Sequence, residues 1–214
     1  MSLKLLELLA KKLVKPLHSH TVSGRRVKTL SYNLSAMIPL NQSLLGLDVG
    51  CGSGEIARYI QDANPQLEIV GVDILKRKDA VIDVVSFDGQ KLPFEDKSYD
   101  FTIIVDVLHH TDNPLILMNE CVRVSRQFIL IKDHICENWW DSVRLRFMDW
   151  VGNRAYNVPL PYNYLSVNEW NKLYELSGVI CEQKKKRLNL YSPPFSMVFD
   201  SNLHFVAKLL VTNK

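Results

Sequence analysis

The chain has 214 residues, enough for one well-buried domain. Its 47% hydrophobic and 23% charged residues are those of an ordinary soluble protein, and a net charge of +3 is too mild to announce a nucleic-acid binder. No run approaches the ~20 apolar residues of a membrane span. The first ten residues lack the apolar core and cleavage site of a secretion signal. Cys51, Cys121, Cys136 and Cys181 form no CxxC pair, which fits reduced thiols and a cytoplasmic location.

Leu3–Val14 reads as a helix with Leu5, Leu6, Leu9 and Leu13 on one face and Lys4, Lys11, Lys12 and Lys15 elsewhere. Such a helix packs on its own domain or lies on a membrane surface. Residues 15–24 hold Pro16 and the pair His18 and His20. No further ligand set accompanies that pair, so a polar loop is predicted and no metal. Arg25–Ile38 has the period of a second helix, ended by Pro39. These N-terminal helices (1–40) are read as part of the same domain as 41–214.

The run LLGLDVGCGSG follows, from Leu44 to Gly54: a buried strand, then Gly50, Gly52 and Gly54 at alternate positions. Glu55–Ala63 has helical spacing at Ile56, Tyr59 and Ile60. Strand, glycine turn and helix suit a ligand that approaches the backbone closely and meets N–H groups at a helix start. The spacing is G-x-G-x-G after Asp48, not the dinucleotide G-x-G-x-x-G. A second strand, Leu67–Val72, ends in Asp73, where a carboxylate can take the vicinal hydroxyls of a ribose. A third, Val81–Phe87, is followed by Asp88 and Gly89.

Phe101–Val107 is a nearly continuous apolar strand interrupted by Asp106, followed by Leu108, His109 and His110. Asn113 and Pro114 begin a helix over Leu115–Val124. A fifth strand, Gln127–Lys132, leads into Asp133 and His134. Trp139–Val151 reads as an amphipathic helix stopped by Gly152, with Trp139, Trp140, Val143, Phe147, Trp150 and Val151 on the apolar side. Asp141, Arg144 and Asp149 oppose them. The aromatic stretch 153–165 has no period, and 135–165 is read as a lid or substrate insertion. Val167–Ser177 is a helix capped by Ser166, and Val179–Asn189 and Leu203–Val211 are strands. Lys184–Arg187 suits a solvated edge strand. Ser192-Pro193-Pro194-Phe195 looks like an amino-methyltransferase motif but falls outside the position after the fourth strand that such chemistry needs.

Two of these stretches, LDVGCGSG and FDGQKLPFEDKSYDFTIIVDVLHHTDNP, resemble class I S-adenosylmethionine (SAM) dependent methyltransferases of the type 11 kind. The resemblance implies an α/β, Rossmann-like, doubly wound seven-stranded sheet of order 3-2-1-4-5-7-6 with the last strand antiparallel. It implies SAM as cofactor and S-adenosylhomocysteine as product. Asp48, Gly50, Cys51, Gly52, Gly54, Asp73, Ile74, Asp88, Gly89 and Val105 would hold the cofactor. Transfer to a small-molecule acceptor is expected, with no nucleic acid. His134 is the first candidate for a general base, ahead of His110, Asp106 and Asp133, because it follows a central strand beside the insertion. Three other readings stay open: a non-catalytic SAM-binding module, a methyltransferase for a membrane lipid or quinone, and an NAD-dependent oxidoreductase.

Overall fold

The structure, a computed structural model, describes residues 20–153, 161–193, 195–200 and 202–212. The helix expected at Leu3–Val14, the loop after it as far as residue 19, and residues 154–160 of the aromatic stretch lie outside the described residues. In chain order the elements are α1 (His20–Ser35), β1 (Leu44–Val49), α2 (Glu55–Ala63), β2 (Leu67–Asp73), β3 (Val84–Ser86) and β4 (Tyr99–Val105). A 3-10 turn (Leu108–His110), α3 (Pro114–Val124), β5 (Ser125–His134), α4 (Trp139–Asn153) and α5 (Val167–Ser177) follow. The chain then finishes with β6 (Val179–Lys186), α6 (Phe195–Phe199) and β7 (His204–Val211). The sheet has seven strands in the expected order 3-2-1-4-5-7-6. β7 runs antiparallel to both neighbours, and the remaining pairs are parallel.

Both faces of the sheet are covered, which is why its central strands read as apolar runs. One face meets Met118 and Cys121 of α3 and Trp170 and Leu173 of α5. The other meets Leu30 and Leu34 of α1 and Ala57 and Ile60 of α2, over stacked Phe101 and Phe128 rings 5.2 Å apart. Each such fully buried side chain contributes about 1.5–3 kcal/mol. Local signals set the helix ends. Asn113 Oδ1 accepts from the Leu115 amide at 3.1 Å, and Ser166 and Glu169 form a reciprocal capping box.

Several boundaries differ from the sequence reading, each for a physical reason. α1 begins at His20 and runs through Gly24, so the predicted polar break reaches less far. Its period outlasts it: Met37 and Ile38 are buried from turns after the helix, because the residue before Pro39 is barred from helical backbone. β3 is only three residues long, since Ile82 turns aside to pack on the glycine turn. β4 stops at Val105, and Asp106 lies beyond it with φ 56°. β5 continues through Asp133 and His134 because β7 keeps pairing as far as His204. β6 stops at Lys186, before the left-handed Arg187.

The largest correction concerns α4. It passes through Gly152 to Asn153, and its apolar side faces outward: Trp139 and Trp140 are each about two-thirds exposed, whereas Asp141, Leu145 and Asp149 are buried. Partners explain the inversion. Asp141 accepts from the Glu137 amide and pairs with Arg144, and Asp149 accepts from the Tyr164 hydroxyl. Among the described residues no helix is long and apolar enough to cross a membrane.

Candidate functional site

Residues from the ends of β1, β2 and β3 meet at one place. Gly50 and Gly54 both have left-handed backbones, with φ of 70° and 76°. A Cβ on Gly50 would lie 2.4 Å from Val107 Cγ2, and one on Gly54 2.3 Å from Ile82 Cγ1, so sterics as well as conformation demand glycine. The Gly52 amide donates to Asp73 Oδ2 at 2.7 Å, and the Leu75 amide to Oδ1 at 2.9 Å. Asp73 therefore ties the glycine turn to the loop after β2.

The Phe87 amide in turn donates to the Asp73 carbonyl at 3.2 Å, bringing Asp88 and Gly89 alongside. Asp88 Oδ1 accepts from the Gln90 and Lys91 amides at 2.8 Å, and these bonds hold its carboxyl below the usual range. Ile74 Cγ2 lies 3.3 Å from where a Gly89 Cβ would be, so the two residues are in contact.

Burial, with the Asp73 charge second, pushes the Asp48 carboxyl up to about 7. The Cys51 sulfur lies against Gly71, so only the Cys51 backbone belongs to the turn. Val105 ends β4 and packs toward the α1 side of the sheet. Sequence reading missed Arg77, whose guanidinium lies over Gly52, 3.3 Å from its Cβ position.

A second cluster sits at the carboxyl ends of β4 and β5. Asp106 pairs with both Arg26 of α1 and Lys132 of β5. Burial would raise its carboxyl, but Lys132, Arg26 and His109 outweigh that and hold it well down. His109 Nδ1 is 2.6 Å from Asp133 Oδ1, and its Nε2 is 3.3 Å from Asp149 Oδ2, off the line of a hydrogen bond. Burial pulls the His109 imidazole down, yet Asp133 and Asp149 win and push it up to about 10.

Asp133 Oδ1 also accepts from the His134 amide at 2.8 Å and lies 3.2 Å from His134 Nδ1, while Oδ2 has no partner among the described residues. Three cations (Arg26, Lys132, protonated His109) thus face three carboxylates (Asp106, Asp133, Asp149). His134 is different. Burial and then Lys132 drive its imidazole far down, so it is neutral, and Trp170 Nε1 donates to its carbonyl at 2.8 Å. His110, half-buried, is lowered by burial and by His109.

Of the four candidate bases, Asp106, Asp133 and His134 are brought together, and His110 lies beside them with its ring 4.1 Å from that of His109. His134 lies within β5 and is 4% exposed, rather than in a loop after the strand. Sequence reading did not single out Arg26, Lys132 or Tyr164, which lie in separate stretches with no spacing to link them. The charges in the otherwise apolar β5 were the available signal.

The His109 proton has a consequence for stability. Its folded value lies above the ordinary 6.5, so its contribution is complete below pH about 6.5 and is lost as pH rises through about 10. Denaturation midpoints should fall between pH 7 and 10 in the wild type, and fall much less in His109→Gln.

Residues 47–127 match the family model Methyltransf_11, described as a methyltransferase domain. Over that stretch the chain is similar to the methyltransferase domain, and its whole sheet has the strand order expected from the resemblance. Among similar proteins, 27-O-demethylrifamycin SV methyltransferase of Amycolatopsis mediterranei is 31% identical over 110 residues, which is 45% of this chain and 40% of that protein. The tRNA (carboxymethyluridine(34)-5-O)-methyltransferase of Saccharomyces cerevisiae is 34% identical over 76 residues, 31% of this chain and 25% of that one. The chain thus spans well under half the length of these curated relatives. A SAM-dependent methyltransferase from Aquifex aeolicus shares the fold with a TM-score of 0.61 at 16% identity, covering 94% of this chain and 98% of its own.

Proposed function

We propose that this methyltransferase transfers the methyl group of SAM to a small-molecule acceptor by in-line displacement. The observation that carries this reading is the meeting of the Gly50–Gly54 turn, Asp73 and the Asp88–Gly89 turn at the carboxyl ends of three adjacent strands, where open α/β sheets bind ligands. In this reading Arg77, over Gly52, takes the carboxylate of SAM, and Asp73 takes the ribose hydroxyls. The surface that Ile74 and Gly89 form together takes one face of the adenine, with Asp88 at its edge. Asp48 and Asp73 place negative charge near the sulfonium.

A sulfonium carbon is already activated, so the protein's main work is alignment and exclusion of water. A narrow acceptor fits the second cluster, where His109, Asp133 and His134 are all buried. A hydroxyl or carbon acid also needs a base. Both His110 and His134 are held neutral, and we favour His110 because it is the less buried of the two. The segment 135–165 is assigned as the lid on the acceptor side.

Calorimetry with SAM, S-adenosylhomocysteine and NADH, followed by transfer of isotope-labelled methyl to a metabolite panel, to tRNA and to lipid vesicles, tests the reading. SAM binding with transfer to a metabolite supports it. SAM binding with transfer to no acceptor favours a non-catalytic module, and transfer only to tRNA or lipid overturns the small-molecule assignment. A sulfonium beside Asp48 favours its ionised form. Raising pH from about 6 to about 8 should therefore tighten SAM binding by up to about tenfold and affect uncharged-sulfur S-adenosylhomocysteine much less.

A further inference from the structure

We propose that His109, Asp133 and His134 form a binding site for one divalent transition-metal ion of the Zn2+ or Fe2+ class, with Asp106 beside it. The inference builds on the methyltransferase reading, because the ion would sit where an acceptor's oxygen could fill an open position. Two imidazoles and one carboxylate are a recurrent donor set for such ions. One donor atom from each of His109, His134, Asp133 and Asp106 lies within 4.8 Å of the other three.

Two of the separations are close to those of a coordination sphere. His134 Nδ1 is 3.2 Å from Asp133 Oδ1 and 3.7 Å from Asp106 Oδ1. A tetrahedron of bonds about 2.0–2.2 Å long has edges of about 3.3–3.6 Å. Asp133 Oδ2 is wholly buried and has no partner among the described residues, which is costly for a carboxylate oxygen unless something binds there.

The outer arrangement matches as well. Metal-bound histidines usually have a carboxylate or carbonyl behind the second ring nitrogen. Behind His109 Nε2 stands Asp149 at 3.3 Å, itself held by the Tyr164 hydroxyl at 2.5 Å. The His134 backbone is anchored by Trp170.

His109 Nδ1 and Asp133 Oδ1, 2.6 Å apart, are closer than two ligands of one ion, so uptake parts them by about 0.7 Å. Lys132 and Arg26 neutralise Asp106, which leaves Asp133 as the anionic ligand. Uptake of an ion therefore replaces the His109–Asp133 contact with two coordinate bonds, and an oxygen-bearing acceptor would complete the coordination.

The test uses the full chain stripped with a chelator and titrated with Zn2+ or Co2+ alone, without SAM. One ion per chain is expected, read from calorimetry. Co2+ should give visible absorption bands. His134→Ala should abolish uptake and Asp149→Asn should weaken it about 10–100-fold, whereas His18→Ala/His20→Ala should keep it.

A folded chain that takes up neither ion at millimolar concentration overturns the proposal. So does uptake that survives His134→Ala but is lost without His18 and His20. Should His134→Ala not fold, paramagnetically shifted N–H signals from two imidazoles in the wild-type Co2+ protein support the site, and fewer than two overturn it. SAM binding without metal uptake leaves the methyltransferase reading standing, so the two fail separately.

Discussion

Lys132→Met is expected to destabilise the chain by about 3–5 kcal/mol, the range for removing one partner of a buried ion pair. Lys132 is fully buried in the middle of the sheet, and its ammonium pairs with Asp106. Methionine fills a similar volume, so the loss is electrostatic rather than a cavity. Arg26 keeps one contact with Asp106, but from the outer helix α1 and with about a third of its side chain exposed. Adding Asp106→Asn to Lys132→Met removes the orphaned charge and should recover at least 1 kcal/mol, because deleting both partners costs less than stranding one. Denaturant titration of the wild type, the single and the double variant measures this. A single variant within 1 kcal/mol of wild type would mean that the pair is not buried as described.

Asp73→Ala is expected to weaken SAM binding by about two orders of magnitude while leaving the fold intact. Two effects combine. The proposed ribose acceptor is lost, and the Gly52 and Leu75 amides lose the carboxylate that fixes the glycine turn. Hydrogen bonds to a charged group are each worth about 1.5–3 kcal/mol, and 1.4 kcal/mol is tenfold in affinity. Asp88→Ala should cost less, because its carboxylate organises only its own turn. Calorimetry on the two variants ranks them. Equal losses would sink the assignment of separate roles, and no loss in Asp73→Ala would remove the ribose site.

Much of the architecture was legible because it rests on local signals. The α2 and α5 boundaries follow from Glu55–Ala63 and from Ser166 with Glu169, and the strand order follows from the resemblance carried by LDVGCGSG. The glycine turn was legible for a related reason, since backbone conformation is written into glycine itself.

The second cluster was legible only in part, because Asp106, Asp133, His134 and His110 stood out as candidate bases while their partners did not. Arg26, Asp106, His109, Lys132, Asp133, Asp149 and Tyr164 come from α1, the β4 end, β5, α4 and the segment after it, and nothing in their spacing says that they converge. Hydropathy also misled at α4. Its period is genuine, but Asp141 and Asp149 find partners inside while Trp139 and Trp140 find none, so charge pairing decided which face turned inward. β5 outran its expected end for the same long-range reason. Pairing with β7, distant in sequence, carries Asp133 and His134 into the sheet.

The positions of the tryptophans make the molecule its own optical gauge. Trp170 is shut in the dry interior with its indole N–H on the His134 carbonyl, whereas Trp139 and Trp140 stand in solvent. An aqueous quencher silences the outer pair first, and the emission that survives comes from Trp170 and the half-buried Trp150. In a Trp150→Phe variant, light from the Trp170 ring reports on His134 without any label being attached.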